Sequence, residues 1–450
     1  ISSTQQRAST KEQVRAKVPR AVCKGLKILQ NIKTKKFMKN ISIVLIALIL
    51  IMSSSCSNTK AKDTNNDSKS IETNEPIQEK HLPDGAVPFD YVRHLYFNIL
   101  LRDSIPARVI FDTGNTNILI DSTFYETNFA HLGKLQKAMA RGAGSGNQAT
   151  YIDMSGWEYS VGEHHAMERM AVVMNLKKIL GSKVEGMFGM AFMRGRKVEF
   201  NYEGQYMRVL PQEEQLAEGY TCIKCSWLDD RQTRMLIPVD VTIDENTSLK
   251  GNFLVDMGAG DAISINSSTA KKANLPRVLT EVKKKVYDVG GVGGSRTDYM
   301  FKAKGITIGG IKLDNVDASY SGNTQGAMAD SRYDGIIGNA LLEHFDVVFD
   351  FAACEIWLRT NGNNTFARYD SGITLTPKED YWVVNGLIEG GKAHKAGIER
   401  GDRITSINGL TTENLDEKTL KKINATADAW EVIIKRGSAT SVITFEKEEL

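Results

Sequence analysis

Apolar residues form two short β-prone runs along the chain, and both runs end at the same pattern, Asp-x-Gly. The first run, Ala107–Phe111, leads into Asp112-Thr113-Gly114, and the second, Phe253–Val255, leads into Asp256-Met257-Gly258. Another apolar run follows each pattern after a few residues. This arrangement predicts a strand, a tight turn and a second strand in both places, with an acidic side chain at the turn.

The repeat extends well beyond these two turns. Three further pairs of segments follow in the same order in both halves: the glycine-rich loops 142–146 and 290–294, the Asp/Glu-Gly-x-x-Gly segments 185–189 and 334–338, and the apolar segments 198–202 and 347–351. The Asp-x-Gly copies lie 144 residues apart and the last two pairs lie 149 apart. Matching features in one order at nearly constant spacing predict a duplicated β-rich lobe.

Together these motifs resemble the retropepsin-like and pepsin-like aspartic peptidases, over roughly residues 86–360. The resemblance implies a mainly β fold with two aspartic-peptidase-like β-barrel lobes in one chain, at 86–225 and 226–365. It also implies that Asp112 and Asp256 form the catalytic pair. By the same resemblance, substrate is bound by residues of the two turns and of two glycine-tipped flaps: Thr113, Gly114, Gly144, Gly146, Gly258, Gly291, Gly293 and Gly294.

A pair of neighbouring carboxyls suits peptide hydrolysis because the two groups cannot both ionise cheaply and therefore share a proton. One then activates water as a base, and the other protonates the departing group as an acid. The resemblance thus implies an aspartic-type endopeptidase that acts on peptide or protein substrates on the acid side of neutral. No metal or organic cofactor is expected, because the pair activates water directly.

One position departs from the family pattern. The residue after the catalytic Asp is normally Thr or Ser, whose hydroxyl hydrogen-bonds the opposite turn, but the second copy has Met257. A thioether cannot donate a hydrogen bond and accepts one only weakly. Half of the polar brace between the turns is therefore absent. This leaves open an alternative function, a catalytically weak or inactive peptide-binding scaffold of the cell envelope.

A different pattern begins near residue 369. Residues 396–409 read Ala-Gly-Ile-x-x-Gly-Asp-x-Ile-x-x-Ile-Asn-Gly, and this segment resembles the PDZ domains attached to bacterial proteases. Such domains bind a peptide as an additional β-strand. The resemblance implies a PDZ-like domain at 369–450 with a peptide ligand, a carboxylate-binding loop near 378–382, and a helix at 413–424 beside the peptide groove.

The N-terminal part predicts export and anchoring. A short basic segment, the apolar run from Ile41 to Met52 and the small residues before Cys56 match a lipoprotein-type signal peptide at 38–55. Residues 1–37 would then be an upstream extension, Cys56 the lipidated first residue, and 56–85 a flexible tether. We therefore expect a bacterial cell-envelope protein that is held at the membrane by a lipid anchor, as a periplasmic or outer-membrane lipoprotein.

Composition adds two restrictions. The 450 residues carry a net charge of +3, but residues 1–55 alone carry +10, which leaves −7 on the remainder and gives no support for a nucleic-acid partner. His164-His165 and Cys222-x-x-Cys225 lack the further ligands of a metal site, and the two histidines are expected to be a surface or strand pair. The two cysteines are interpreted either as a local disulfide or as reduced strand thiols, and Cys354 as a buried apolar residue.

Overall fold

The computed structural model describes residues 82–363, 365–366 and 369–449. The predicted upstream extension, the signal peptide with Cys56 and nearly all of the tether lie outside these residues. Within them the chain is mainly β, which confirms the predicted fold class. The described helices are all too short or too polar to cross a membrane.

The first repeat alternates short strands with a few short helices. Its strands are β1 (Val87–Pro88), β2 (Asp90–Tyr91), β3 (Leu95–Leu101), β4 (Ile105–Asp112), β5 (Leu119–Asp121), β6 (Gln136–Ala140), β7 (Gln148–Asp153), β8 (Trp157–Val161), β9 (His164–Glu168), β10 (Ala171–Met174), β11 (Gly186–Gly189), β12 (Lys197–Asn201) and β13 (Tyr206–Leu210). Its helices are α1 (Ser122–Asn128), α2 (Leu176–Leu180) and α3 (Met190–Met193), with a 3-10 turn at Ala130–Leu132. The predicted strand position of the histidine pair is confirmed.

The linker and the second repeat follow the same plan. Their strands are β14 (Thr221–Lys224), β15 (Ser226–Trp227), β16 (Met235–Thr242), β17 (Ser248–Val255), β18 (Ile263–Ile265), β19 (Lys283–Tyr287), β20 (Arg296–Ile308), β21 (Ile311–Ser321), β22 (Gly335–Ile337), β23 (Phe345–Asp350) and β24 (Glu355–Thr360). The helices are α4 (Ser267–Lys272), α5 (Leu275–Val278) and α6 (Asn339–Leu342), with a 3-10 turn at Ala327–Ala329.

The two repeats share one strand arrangement around the Asp-x-Gly turns. β4 pairs in parallel with β11, which pairs antiparallel with β5. β17 pairs in parallel with β22, which pairs antiparallel with β18. A six-stranded sheet then joins the halves, because β12 of the first repeat pairs with β23 of the second. One continuous apolar core runs through both lobes, so the lobes support each other directly beneath the turns.

The C-terminal part has its own apolar core, which includes Trp382, Ile404 and Trp430. Its strands are β25 (Tyr369–Asp370), β26 (Ile373–Pro377), β27 (Trp382–Ile388), β28 (Arg403–Ile407), β29 (Leu410–Thr411), β30 (Ala429–Arg436), β31 (Ala439–Glu446) and β32 (Glu448–Glu449), and its helices are α7 (Lys392–Lys395) and α8 (Glu417–Thr426).

The segment near 378–382, predicted to bind a carboxylate, lies at a hairpin turn, and its binding role stays a prediction. Residues 378–381 close the hairpin between β26 and β27, where the Lys378 N–H donates to the Tyr381 carbonyl at 2.8 Å. The helix predicted at 413–424 lies slightly later, at Glu417–Thr426. The N-cap Asp416 accounts for this start, since its carboxylate accepts the Thr419 N–H.

Three described cysteines carry free thiols, and two of them face each other across a ladder. Lys224 of β14 is paired with Glu355 of β24, so the next residues along the ladder, Cys225 and Cys354, lie opposite each other. The Cys225 N–H donates to the Cys354 carbonyl at 2.9 Å, and the two thiols are in contact. Directly opposed antiparallel residues have Cα atoms about 4.5–5.5 Å apart, a separation that a disulfide can bridge. Cys222 is three positions from Cys225 and points to the other face of the strand.

We therefore expect oxidised glutathione to join Cys225 to Cys354 and not to Cys222. Peptide mapping by mass spectrometry identifies the linked pair. Cys222→Ser should leave the crosslink intact, whereas Cys354→Ser should abolish it. A crosslink between Cys222 and Cys225 would contradict this expectation.

Candidate active site

The two Asp-x-Gly turns lie face to face at the junction of the lobes. Asp112 ends β4 and Asp256 directly follows β17, and their carboxyls hydrogen-bond each other. A methyl group at Gly114 would lie 2.8 Å from the Asp256 Cγ, and one at Gly258 would lie even closer to the Asp112 Cγ. Only glycine fits at these two positions, because each turn packs its backbone against the opposite carboxyl.

The environment of the pair favours a shared proton. Burial raises the pKa of the Asp112 carboxyl well above its usual value, and the neighbouring Asp256 raises it further. Burial also raises the pKa of Asp256, against the effect of hydrogen bonds from Asp112 and from the Gly258 N–H, which lies 2.9 Å away. Both carboxyls remain partly accessible. The arrangement therefore places one neutral acid beside one carboxylate, within reach of solvent.

Thr113 connects the two turns through a single buried hydroxyl. It donates to the Val255 carbonyl at 2.7 Å and accepts the Met257 N–H at 2.9 Å. Met257 is fully buried and has no hydroxyl with which to return these bonds. Half of the reciprocal brace is therefore formed, and the missing half corresponds to the sequence departure at Met257.

Asn339 supplies polar contacts to the turn that lacks a hydroxyl. Its side-chain amide donates to the Met257 carbonyl at 2.6 Å and to the Arg93 carbonyl at 3.1 Å, and its oxygen accepts the Tyr202 hydroxyl at 2.8 Å. The corresponding residue of the first repeat, 149 positions earlier, is Met190. Each repeat thus combines one polar residue with one methionine, but at exchanged positions. Aligning the two repeats residue by residue would have revealed this exchange.

We expect Asn339→Leu to lower the free energy of unfolding by about 2–3 kcal/mol, because the Tyr202 hydroxyl, the buried Met257 carbonyl and the partly buried Arg93 carbonyl lose their partner. A displaced second turn should also lower kcat by about tenfold. Urea unfolding and steady-state kinetics measure the two effects. The matched control is Met190→Leu, a change of similar volume. Equal behaviour of the two variants would refute the positioning role of Asn339.

Two glycine-tipped hairpins cover the carboxyls. Flap 1 is β6, residues 141–147 and β7, and flap 2 is β19, residues 288–295 and β20. The flap 1 N–H groups of Gly144, Ser145 and Gly146 donate to the flap 2 carbonyls of Val292, Ser295 and Gly293 at 2.9, 2.9 and 2.8 Å. The flaps are therefore closed against each other.

The predicted flap glycines lie at this contact. A Cβ atom at Gly144 would overlap the backbone of Gly293 and Gly294, while Gly291, Gly293 and Gly294 all have positive φ angles, from 90° to 127°. Glycine is therefore required at the flap tips by both close approach and backbone conformation. The N–H groups of Gly144 and Gly146, which sequence analysis assigned to substrate, bond to flap 2 in this closed arrangement.

An apolar cluster lies on each side of the carboxyl pair. In the first lobe it includes Ile110 and Met187 and receives Val292 from the tip of flap 2. In the second lobe it includes Leu254 and Ile336, and Ala143 from the tip of flap 1 packs against it. Each flap tip thus packs against the apolar cluster of the opposite lobe.

A charged group beside the second turn was not predicted from the sequence. Arg93 and Arg296 both pair with Asp261, at 3.2 and 2.9 Å, and Arg296 also pairs with Asp298 at 2.7 Å. Burial alone would raise the pKa of the Asp261 carboxyl, but the two arginines hold it far below its usual value. Since Arg93 comes from the first lobe and Arg296 from flap 2, this network joins both of them to the turn of the second lobe.

The first turn is fixed at its far end by the buried carboxyl of Glu168. This group accepts the Ile118 N–H at 2.7 Å and the Tyr159 hydroxyl at 3.0 Å. Burial nevertheless raises the pKa of Glu168 to about 7. A raised pKa means that the folded state holds the proton more tightly than the unfolded chain, so its contribution to stability is complete at acid pH and is lost as pH rises through about 7.

The free energy of unfolding of the wild type should fall between pH 5 and pH 8 as Glu168 ionises. In Glu168→Gln we expect this fall to be smaller by about 2 kcal/mol, since glutamine cannot ionise. Urea unfolding at four pH values in this range provides the measurement. Glu158→Gln, at an exposed position on the adjacent strand, is the matched control. A pH profile of the Glu168→Gln variant that parallels the wild type would contradict this assignment.

Family models match two separate parts of the chain. Residues 239–341, which include the second Asp-x-Gly turn, flap 2 and β22, match the model described as aspartyl protease. Residues 383–423 match the model described as PDZ domain. The chain therefore contains an aspartyl protease domain and a C-terminal PDZ domain. A search of curated proteins gives no significant match.

Proposed function

We propose that this protein is an aspartic-type endopeptidase whose water is activated by Asp112 and Asp256. The observation that carries the proposal is the mutual hydrogen bond of the two carboxyls, with one contributed by each repeat, beneath a pair of closed flaps. Burial raises the pKa of both carboxyls, and this favours the singly protonated pair that general acid–base hydrolysis of a peptide requires.

The reaction follows from that protonation state. The carboxylate accepts a proton from a water molecule, whose oxygen attacks the scissile carbonyl carbon, while the neutral carboxyl donates its proton to the carbonyl oxygen. The resulting gem-diol collapses when one of its hydroxyls returns a proton to the carboxylate of the pair, the C–N bond breaks, and the nitrogen takes up the proton of the other carboxyl. The closed flaps exclude bulk water, which strengthens each of these interactions.

The walls of the cleft support a preference for apolar substrates. The cluster with Ile110 and Met187 lies on one side of the carboxyls, and the cluster with Leu254 and Ile336 lies on the other. An apolar substrate side chain on each side of the scissile bond would pack against one of these clusters and be shielded from water by the flap tips.

The remaining assignments complete the proposal. The PDZ domain would bind a peptide ligand or recruit substrate by strand addition. Lipidation at Cys56 would hold the enzyme at a bacterial membrane, as a periplasmic or outer-membrane lipoprotein, with the tether 56–85 between the anchor and the protease domain. Intact-mass measurement of the mature protein tests this: a lipidated N-terminal Cys56 supports it, and a product that retains Gln5 and Gln6 contradicts it.

Cleavage of a mixed peptide library from pH 3 to pH 8 tests the proposed activity. We expect cleavage between apolar residues at acid pH and a fall in kcat as pH rises above the higher pKa of the pair, because the acid is then lost. Mass spectrometry of the products gives the cleavage sites. Binding of library peptides by the folded protein without cleavage at any pH would instead support the peptide-binding scaffold, which Met257 continues to favour.

A further inference from the structure

Flap 2 is joined to the β-sheet of the PDZ domain through one of its two strands. β19, its outer strand, pairs antiparallel with β27, with Lys285, Val286 and Tyr287 opposite Ile388, Leu387 and Gly386. On the other flap, β6 is the terminal strand of its sheet among the described residues. The two flaps are therefore attached differently: flap 1 has an open outer edge, whereas flap 2 continues into the PDZ domain.

Asn385 strengthens this attachment close to the tip of flap 2. Its oxygen accepts the Val289 N–H at 2.8 Å, and its amide donates to the Val289 carbonyl at 2.7 Å. Its own carbonyl accepts the Asp288 N–H at 2.9 Å, and the side chain is 8% exposed. Ion pairs of Lys284 with Glu389 and of Asp288 with Arg400 border this contact. The PDZ domain and flap 2 must consequently move together.

A second set of contacts holds the PDZ domain against the protease domain through one face of α8. Lys418 pairs with Asp90 at 2.8 Å, and Lys421 approaches Glu343 at 3.4 Å and lies over the Tyr91 ring. The Glu417 carboxyl lies beside the hydroxyl of Tyr96, and Tyr96 belongs to the apolar cluster of the first lobe. These partners come from both lobes, so the α8 contacts help to hold the PDZ domain, and with it flap 2, in the closed arrangement. At the end of β26, the Pro377 carbonyl and the Lys378 ammonium also bond to Ser182 and Lys177 of the first lobe, each at 3.2 Å.

The same helix borders the only edge of β26 that has no strand partner within the described residues. β26 pairs with β27 alone, while Leu375 of β26 and Leu420 and Ile423 of α8 pack on one core. The unpaired backbone groups of such an edge can accept an extended peptide. The space between β26 and α8 is therefore a groove whose helical wall is engaged by the protease domain.

The entrance loop of this groove favours an internal peptide segment over a chain terminus. The Ser371 N–H already donates to the Asn424 side chain at 3.1 Å, and the Gly372 N–H donates to Asp370 at 2.8 Å. A terminal carboxylate would have to displace these partners and approach the Asp370 carboxylate. Two of the three lysines of α8, Lys418 and Lys421, are paired with carboxylates of the protease domain, so a competing peptide needs acidic side chains.

We propose that an extended acidic peptide binding between β26 and α8 displaces the α8 contacts, and that the released PDZ domain carries flap 2 with it and opens the cleft. Binding of a ligand to the PDZ domain would in this way control the position of flap 2. The inference rests on the proposed function only in that the opened cleft admits substrate, because the coupled movement itself requires no cleavage.

Hydrogen exchange of the full chain tests the coupling without any assay of activity. The readout is the protection of Gly144, Ser145 and Gly146, whose N–H groups donate to flap 2. In a Lys418→Ala/Lys421→Ala variant we expect these amides to exchange about three- to tenfold faster, because two ion pairs that hold the closed arrangement are lost. Lys422→Ala, which removes a single lysine charge from an exposed position of α8, should match the wild type.

A blocked ten-residue peptide of alternating Asp and Val should produce the same faster exchange in the wild type, and its Lys-Val counterpart should not. Asn385→Ala removes two of the bonds that attach flap 2 to the PDZ domain, so the acidic peptide should still expose the α8 contacts but should accelerate the exchange of the flap amides less than in the wild type. Unchanged exchange of β12 and β23 excludes general unfolding. Flap amides that keep wild-type protection when the α8 contacts are lost would overturn the proposal, whether or not the protein cleaves peptides.

Discussion

Asp112→Asn and Asp256→Asn are each expected to lower kcat by at least about 10³-fold, because an amide can neither accept the proton of the attacking water nor share the proton of the pair. The fold should persist, since asparagine has nearly the same shape and removes a carboxyl that burial makes costly to ionise. Steady-state cleavage of the best library peptide, together with urea unfolding, measures both quantities.

The exposed Asp230→Asn is the matched control and should retain wild-type kcat. The pKa values of the two carboxyls are raised in the folded state, so their ionisation lowers the stability of the wild type as pH rises. The stability of either variant, measured relative to the wild type, should therefore be higher at neutral pH than at acid pH. Cleavage that survives both substitutions would show that other residues perform the chemistry.

Thr113→Val is expected to have the second largest effect. Apart from the carboxyl pair itself, this hydroxyl links the two turns within the described residues, and its loss leaves the Val255 carbonyl and the Met257 N–H buried without that partner. We expect the free energy of unfolding to fall by about 3–4 kcal/mol. We also expect kcat to fall by about 10²-fold, because a shift of about 1 Å between the carboxyls is enough for such a loss.

Thr113→Ser retains the hydroxyl and should keep most of the wild-type free energy of unfolding and most of the wild-type kcat. Comparing the two substitutions by urea unfolding and kinetics separates the hydrogen bonds from the side-chain volume, since valine keeps the shape and serine keeps the donor. If valine and serine behave alike, the brace is unimportant and packing of the turns alone holds the carboxyls in place.

The asymmetry of the two repeats distinguishes this protein from a symmetric pair of lobes. The brace is formed by Thr113 alone, Asn339 secures the opposite turn, and the Asp261 network is built at the second turn. The PDZ domain is attached to flap 2. Most of the distinctive contacts thus gather on the second repeat, which is also the part that matches the aspartyl protease model.

The sequence by itself determined the fold class, the duplication, the PDZ domain and the facing glycine turns, because these depend on local patterns: apolar runs of strand length and glycines at fixed offsets. It also located the departure at Met257. Asp261 and Asn385 could not be found in this way, since their partners are distant in the chain and each is an ordinary surface residue type, whereas Asn339 is recognisable only by aligning it with Met190 of the first repeat. Only the tertiary structure decided that Asn339 secures the second turn, that Cys225 faces Cys354, and that β27 extends flap 2, because such contacts arise from strand order and register, which local sequence patterns leave open.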